Sequence, residues 1–382
     1  MGKTMEKFKR TSCKHYLNYI VIAVFTLIFA IISFTGGMPR TMSPLLERMG
    51  YSMLLALSLS LVVGFLGELS LGHAGFMCVG AYLGGKIASL LPFGNTVFGF
   101  LIAAIIGGLV AAAFGFIIGL PALRLKGDYL AIVTLAAGEI VRVIFMNTSI
   151  SSFGGALGLA TPRFDRQYLF IIEFLMLLLG LFVIQNLLRS KHGRAITAIR
   201  DNEIAAKATG INVTKYKLTV FMLSSFFAGI AGVLYSYNVN TIQYTTFDYN
   251  YSIEILVMVV LGGMGSINGV LISSAVITFL DVQLQTILTG DFAVLKNIIY
   301  AAILILLVIY NNAPALKGFR QKYNFRNLWK RVVKLKDDPA KRHDDEAAWD
   351  RVPTKISMDE ILSTDLKPGN DYRPDKPTGG NE

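Results

Sequence analysis

The sequence predicts an all-α protein that crosses a membrane about ten times. Of its 382 residues, 53% are hydrophobic and only 16% are charged, whereas soluble domains average about 25% charged residues. Long apolar runs recur from Leu17 to Tyr310, and about 20 apolar residues suffice for a helix to span a bilayer. The runs lack the strict alternation of membrane β-strands, so a polytopic helical bundle is expected.

The predicted spans follow the apolar runs in chain order. Helices are expected near residues 17–34, 53–69, 74–91, 97–120, 129–146, 168–188, 218–237, 249–264, 267–288 and 294–310. The first run follows a basic segment and could mimic a signal peptide, but it is longer than a usual signal-peptide core and no A-x-A site follows it. We therefore expect a retained first helix. The region 249–288 could instead be one long helix plus a loop.

Basic residues decide between nine and ten spans. With ten spans and a cytoplasmic N-terminus, the inside segments hold 22 lysines and arginines, and the outside loops hold only Arg40, Arg48, Arg163 and Arg166. Positive charge stays on the cytoplasmic side during insertion. Ten spans, with both termini in the cytoplasm, are therefore favoured. This topology and anionic lipid headgroups explain the net charge of +11, and no motif indicates a nucleic-acid partner.

The spans divide the chain into segments. A basic N-terminal segment, 1–16, precedes the transmembrane domain, 17–311, which contains a polar insert of 29 residues at 189–217. The segment 312–336 is predicted to be a basic amphipathic helix on the membrane surface. The tail, 337–382, is polar and contains five prolines, a composition typical of disorder.

No pattern indicates a catalytic centre. The four histidines share no metal-ligand spacing, and the two cysteines are too few for a disulfide framework. Residues 80–86 match most of a phosphate-binding loop, but Ile87 stands where Ser or Thr is required and the segment lies inside an apolar run. We predict no metal, no cofactor and no ATP site in this chain, and therefore no enzymatic activity of its own.

Two glycine-dense segments interrupt the apolar runs. Ser70, Gly72, His73 and Gly75 interrupt the second and third apolar runs, and Gly262, Gly263 and Gly265 interrupt the eighth. Glycine inside a helix costs about 1 kcal/mol relative to alanine, and discontinuous helices in transporters place helix ends near the substrate. We therefore predict a substrate path along these residues. Close helix packing or a short turn remains the alternative.

Charged residues inside the runs are expected to be paired. A charge at the bilayer centre costs roughly 2.5–3.5 kcal/mol on insertion scales. Glu139 and Arg142 are three residues apart and share a helical face, which predicts an intramembrane ion pair. No chain of acidic residues accompanies them, so a proton relay is disfavoured.

The insert contains a predicted short helix. Asp201 or Asn202 is expected to cap it, Glu203 and Lys207 to support it at i, i+4, and Gly210 to end it. An insert of this length is far more than a turn requires. We therefore expect a partner to bind it, although an ordinary solvated loop helix is the alternative.

The alanines of this helix are expected to present a surface of low relief to the partner. They are Ala205, Ala206 and Ala208. The whole stretch from Gly193 to Gly210, GRAITAIRDNEIAAKATG, resembles the E-A-A…G loop by which importer permeases dock to their ATPases.

Three further blocks resemble branched-chain amino acid permeases. They are LSLGHAGFMCVGAY (69–82), GDYLAIVTLAAGEIVRVI (127–144) and SIEILVMVVLGGMGSINGVL (252–271). SFGGALGL (152–159) is similar to the family's T-G-G…G-L outside loop, with Phe153 where Thr is usual. The resemblance covers about residues 50–310 and favours the longer, LivM type of permease.

The resemblance implies a type II ABC importer permease of the bacterial inner membrane that carries leucine, isoleucine or valine. It implies four kinds of partner: a sister permease, two cytoplasmic ABC ATPases, an extracytoplasmic binding protein and the lipid bilayer. It also implies that the residues around Arg200, Asp201, Asn202, Glu203 and Gly210 form the coupling helix.

Three alternatives remain at this point. Related permeases carry urea or short amides, and a stand-alone secondary carrier or channel would use an ion gradient. A membrane-embedded enzyme is disfavoured because no catalytic constellation is present.

Overall fold

The computed structural model describes residues 19–35, 42–125, 127–161 and 166–287, together with Pro39, Ala302 and Ile305. Its helices are α1 (Tyr19–Phe34), α2 (Met42–Ser60), α3 (His73–Leu90), α4 (Val97–Ala122), α5 (Asp128–Met146), α6 (Ile150–Phe153), α7 (Arg166–Arg189), α8 (Lys191–Asp201), α9 (Glu203–Ala208), α10 (Val213–Asn238), α11 (Tyr249–Gly262) and α12 (Ile267–Ile287). Two strands, β1 (Leu159–Ala160) and β2 (Thr241–Ile242), and two 3₁₀ turns, Gly155–Leu157 and Tyr244–Phe247, connect them.

The predicted polytopic helical fold is confirmed. Within the described part of the chain, six helices are long and apolar enough to cross a membrane, and α1 and α11 are shorter apolar helices. Together with α3, they occupy the positions of the first nine predicted spans. The predicted span 294–310 lies outside the described residues except for Ala302 and Ile305, which are helical. The segments 1–16, 312–336 and 337–382 also lie outside them.

The second span begins earlier than the apolar run suggested. α2 begins at Met42 rather than near residue 53. Arg48, which was expected in an outside loop, lies within this helix and binds Asp281 of α12 with 2.6 Å between Nη2 and Oδ2. The ion pair explains why Arg48 was wrongly expected in a loop, because a helix tolerates a buried charge when a partner neutralises it.

The same span ends in an unusual turn. α2 continues directly into a π-helical turn, Leu61–Leu66, and Gly67 ends it with a φ of +80°. Single π turns occur frequently at functional sites. A non-helical linker, 67–72, then leads to α3, so the predicted continuous helix to residue 69 is wrong in its last turn.

Small residues allow α10 to approach α3 and α4 closely. A Cβ at Gly80 of α3 would overlap the backbone of Gly229 in α10, and a Cβ at Gly229 would lie 2.9 Å from the carbonyl oxygen of Gly107 in α4. Close backbone approach through small residues is the usual way in which membrane helices associate. α10 therefore lies at the centre of the bundle.

The two ends of α10 define two faces of the protein. α8 and α9 precede α10 and lie at its N-terminal end, here called the insert face. At its C-terminal end, β2 pairs antiparallel with β1, with Leu159 opposite Ile242. This end is here called the ladder face. Because α10 has 26 residues, the two faces are about 39 Å apart along its axis at 1.5 Å per residue.

Gly80→Val should disrupt the contact between α3 and α10, because the new side chain has no space against Gly229. Overpacking typically costs about 1–3 kcal/mol. We expect a lower unfolding temperature in detergent and less monodisperse protein in size-exclusion chromatography. Ala113→Val, at an exposed position of α4, is the control and should behave as wild type. Equal stability of the two variants would contradict the packing described.

Candidate functional site

The polar insert forms two helices rather than one. Ser190 caps α8, because its Oγ accepts hydrogen bonds from the backbone N–H groups of His192 (3.1 Å) and Gly193 (3.4 Å). Asn202 separates α8 from α9 with an extended backbone, φ −159°. Its Oδ1 accepts a hydrogen bond from the N–H of Ala205 at 3.0 Å. Of the two predicted caps, Asn202 is therefore the one used, and Asp201 is the last residue of α8.

A glycine turn ends α9. Gly210 has a φ of +85°, which favours glycine. Its N–H donates to the carbonyl oxygen of Lys207, and the N–H of Ile211 donates to that of Ala206, both at 3.1 Å. This is the Schellman arrangement that completes the hydrogen bonding of a helix C-terminus. α9 ends at Ala208, two residues before the predicted end.

The surface of α9 differs from the prediction at two positions. Ala206, predicted to face a partner, is only 4% exposed and packs against the protein, so it cannot contact a partner directly. Ile204 was not singled out in the sequence, yet it is 79% exposed. Ala205 and Lys207 are exposed beside it. The sequence offered only a large apolar residue in a polar insert as a signal, and it did not indicate which side of the helix is exposed.

Arg200 joins the insert to the π turn and to the second glycine-dense segment. Its Nη1 donates to the carbonyl oxygen of Gly64 in the π turn at 3.3 Å, and it forms an ion pair with Asp201 at 3.1 Å. A Cβ at Gly67 would lie 2.7 Å from its Cγ, and a Cβ at Gly265 would lie 3.3 Å from its Nη1. The glycines therefore leave space for this side chain between α2 and the loop that joins α11 to α12.

A buried ion triad makes a second connection. The side chain of Lys217, in α10, is 4% exposed. Its Nζ contacts Glu68 of the linker 67–72, and it contacts Oε2 of Glu203 in α9 at 3.2 Å. Glu203 therefore pairs with Lys217, an interaction that the predicted i, i+4 pairing with Lys207 did not anticipate. A buried ammonium group needs carboxylates beside it to balance its charge. The triad therefore fixes α9 against α10 and the linker.

The first predicted path segment is tightly packed. Ser70 and His73 are 1% and 2% exposed, and His73 Nε2 lies 2.7 Å from Ser58 Oγ. A Cβ at Gly72 would overlap the carbonyl oxygen of Thr134, and one at Gly75 would lie 2.5 Å from Gly138 Cα. These glycines bring the start of α3 against α5, and the segment's role in a substrate path remains a prediction.

The second predicted path segment is the turn between α11 and α12. Gly262 ends α11, and Gly263 and Gly265 have φ values of +93° and +84°. A Cβ at Gly262 would lie 2.5 Å from the backbone nitrogen of Val270 in α12. The glycines thus permit both a tight turn and close packing, and their role in transport also remains a prediction.

Glu139 and Arg142 form an ion pair within α5, with 2.7 Å between Oε2 and Nη2. Their side chains are 26% and 24% exposed, and the guanidinium lies 5.9 Å from the ring centre of Tyr244.

Among the described residues, no group of three His, Cys, Asp or Glu side chains could hold a metal ion. In the described part of the chain, the contacts of Arg200 and Lys217 connect the insert to the π turn, to the linker 67–72 and to α10.

Comparisons with known proteins agree with this architecture. Residues 42–308 match the family described as branched-chain amino acid transport system / permease component. The high-affinity branched-chain amino acid transport system permease protein LivM of Escherichia coli is 34% identical over 305 residues, covering 72% of this chain and 69% of the relative. LivM of Salmonella typhimurium is 35% identical over 67% of this chain and 65% of its own length.

A different permease type is also similar. The high-affinity branched-chain amino acid transport system permease protein LivH of Salmonella typhimurium is 25% identical over 67% of this chain and 88% of its own length. No solved structure matches the chain. The family match and the LivM relatives agree with the polytopic helical fold. This chain is a multi-pass membrane protein that belongs to the branched-chain amino acid transport permease family.

Proposed function

We propose that the chain is a permease subunit of an ATP-driven ABC importer for leucine, isoleucine and valine in the bacterial inner membrane. A sister permease completes the translocation path, two cytoplasmic ABC ATPases drive it, and an extracytoplasmic binding protein delivers the substrate. Membership of the family supports the permease role. The similarity to both LivM and LivH supports a pair of permeases. In this proposal the insert face and both termini are cytoplasmic.

Ile204 is the observation that supports ATPase docking most strongly. It is 79% exposed on a helix that is fixed at its start by Asn202 and at its end by Gly210. An exposed apolar side chain gains free energy when a partner buries it, because its apolar surface is removed from water. The cleft of an ATPase that covers α9 would bury this side chain.

The contacts of α9 provide a path for movement into the bundle. A displacement of Glu203 would move Lys217 of α10 and, through it, Glu68 of the linker to α3. Arg200 would act in parallel on the π turn at Gly64. An ammonium group as buried as that of Lys217, whose side chain is 4% exposed, is destabilised when its carboxylate partners are removed, so we expect these groups to move together rather than to part.

Ile204→Asp should uncouple the ATPases, because it places a charge in the apolar docking contact. A loss of about 2 kcal/mol or more, typical of an interface hot spot, would release most of the ATPase during purification and reduce leucine uptake at least about tenfold. Ile204→Leu keeps the apolar side chain and should retain both. Wild-type retention of the ATPase by Ile204→Asp would contradict docking at α9.

Glu203→Lys and Gly210→Pro test the geometry of the insert. The first places a second ammonium beside the buried Lys217. The second requires a φ near −65° where Gly210 has +85° and removes its hydrogen bond to Lys207. Both variants should insert into the membrane and bind ATP through their partners, yet hydrolysis should no longer drive uptake. Normal leucine uptake by either variant would count against coupling through the insert.

Transport itself is tested with the purified complex in proteoliposomes. We expect uptake of radiolabelled leucine that requires ATP and is reduced by isoleucine and valine but not by urea. Uptake driven by an ion gradient without ATPases would support a secondary carrier instead. Uptake of urea in place of leucine would assign the chain to the amide-transporting relatives.

A further inference from the structure

A polar cavity of about 360 Å³ lies at the ladder face, remote from the insert. It opens among the ladder-face ends of α2, α10, α11 and α12. Arg48, which lines it, is 16 residues before Gly64, the residue that contacts the insert. At 1.5 Å per residue this separates Arg48 from Gly64 by about 24 Å along the helix. Its volume falls within the range of small-molecule sites, about 300–1,000 Å³.

Arg48 gives this cavity a positively charged group. Its Nη2 is held by Asp281 at 2.6 Å, and the side chain of Arg48 is 27% exposed, whereas that of Asp281 is 8% exposed. The side chain of Arg48 is therefore the more accessible member of the pair. Arginine has five N–H donors in a planar fork that matches a carboxylate, so one carboxylate can fix the group while another binds it from the cavity.

Aromatic rings and an amide in the same cavity can receive the ammonium group of a ligand. Tyr51, Tyr235 and Tyr251 line the cavity, and the rings of Tyr51 and Tyr235 meet edge to face at 5.7 Å. An ammonium group is attracted by the face of a tyrosine ring. Asn238 also lines the cavity, and its Nδ2 donates to Glu47 at 3.1 Å, which directs its carbonyl oxygen away from that bond as an acceptor.

The remaining wall is apolar. Pro44, Val239 and Val282 contribute to it, and they suit an aliphatic side chain rather than a polar one. Arg48 is paired with Asp281 and also interacts with Glu254, so groups of both charges lie near the cavity, which suits a dipolar molecule better than a lone anion. These features match an α-amino acid zwitterion with an aliphatic side chain.

We propose that this cavity is a binding site for a zwitterionic aliphatic α-amino acid on the ladder face of the chain, with Arg48 binding the carboxylate and the tyrosine cluster receiving the ammonium group. The side-chain class rests on the proposed function. The alternative role of Arg48 is purely structural, as an ion pair that ties α2 to α12.

The test is binding of radiolabelled leucine to the full-length chain in nanodiscs, purified with its copurifying subunits and without ATP or binding protein. We expect saturable binding in the wild type and binding at least about tenfold weaker in Arg48→Gln, since a charge-assisted hydrogen bond is stronger than one between neutral groups. Leucinol lacks the carboxylate and 4-methylpentanoate lacks the ammonium group, so both should compete poorly.

A double variant separates binding from structure. Arg48→Gln with Asp281→Asn removes both charges and leaves neither unpaired. If Arg48 binds the ligand, the double variant remains as weak as Arg48→Gln; if the pair is only structural, the double variant recovers wild-type binding, and the proposal is wrong. Arg142→Gln, which removes another membrane arginine from an ion pair, is the matched control and should bind leucine as the wild type does.

Two other results would also overturn the site: no saturable binding by the wild type, or leucinol competing as well as leucine. ATP-dependent uptake by the same wild-type preparation reports separately on the proposed function. Uptake with unchanged binding in Arg48→Gln would refute only the site. Leucine binding that depends on Arg48, without ATP-dependent uptake, would refute only the proposed function.

Discussion

The buried ammonium of Lys217 determines how the insert meets the membrane helices. One cation is shared by Glu68 and Glu203, which come from segments that are distant in the sequence. Leaving it unpaired in a nearly dry environment would destabilise the fold, so the linker, α9 and α10 are held in one arrangement. The insert is therefore a structural part of the bundle rather than a free loop, and Arg200 strengthens this by completing the hydrogen bonding of the π turn at Gly64.

Glycine supplies the second constraint. Gly80 and Gly229 bring α3 and α10 into backbone contact, while Gly67 and Gly265 create the space that Arg200 occupies. The same residue type thus serves two purposes: it lets helices pack without a driving force from water, and it admits a long side chain between them. Within the glycine segments that suggested a substrate path, Gly72 and Gly75 pack against α5, and Gly262 packs against α12.

The sequence predicted features that depend on local chemistry and missed those that depend on distant partners. Apolar runs located the spans, and Asn202 and Gly210 marked the cap and the end of the insert helix. The early start of α2 could not be predicted, because Arg48 resembles a loop residue until Asp281 is known to neutralise it. The exposure of Ile204 and burial of Ala206 depend on which side of α9 packs against the bundle, which no short pattern specifies.

We infer that ATP-driven movement enters this permease through α9. A thiol cross-link from position 204 tests this, using Ile204→Cys with Cys13→Ser and Cys78→Ser, in membranes that contain the whole transporter. We expect an adduct with a cytoplasmic nucleotide-binding subunit. An adduct with the extracytoplasmic binding protein, or no adduct from a transporter that still couples ATP to uptake, would contradict it.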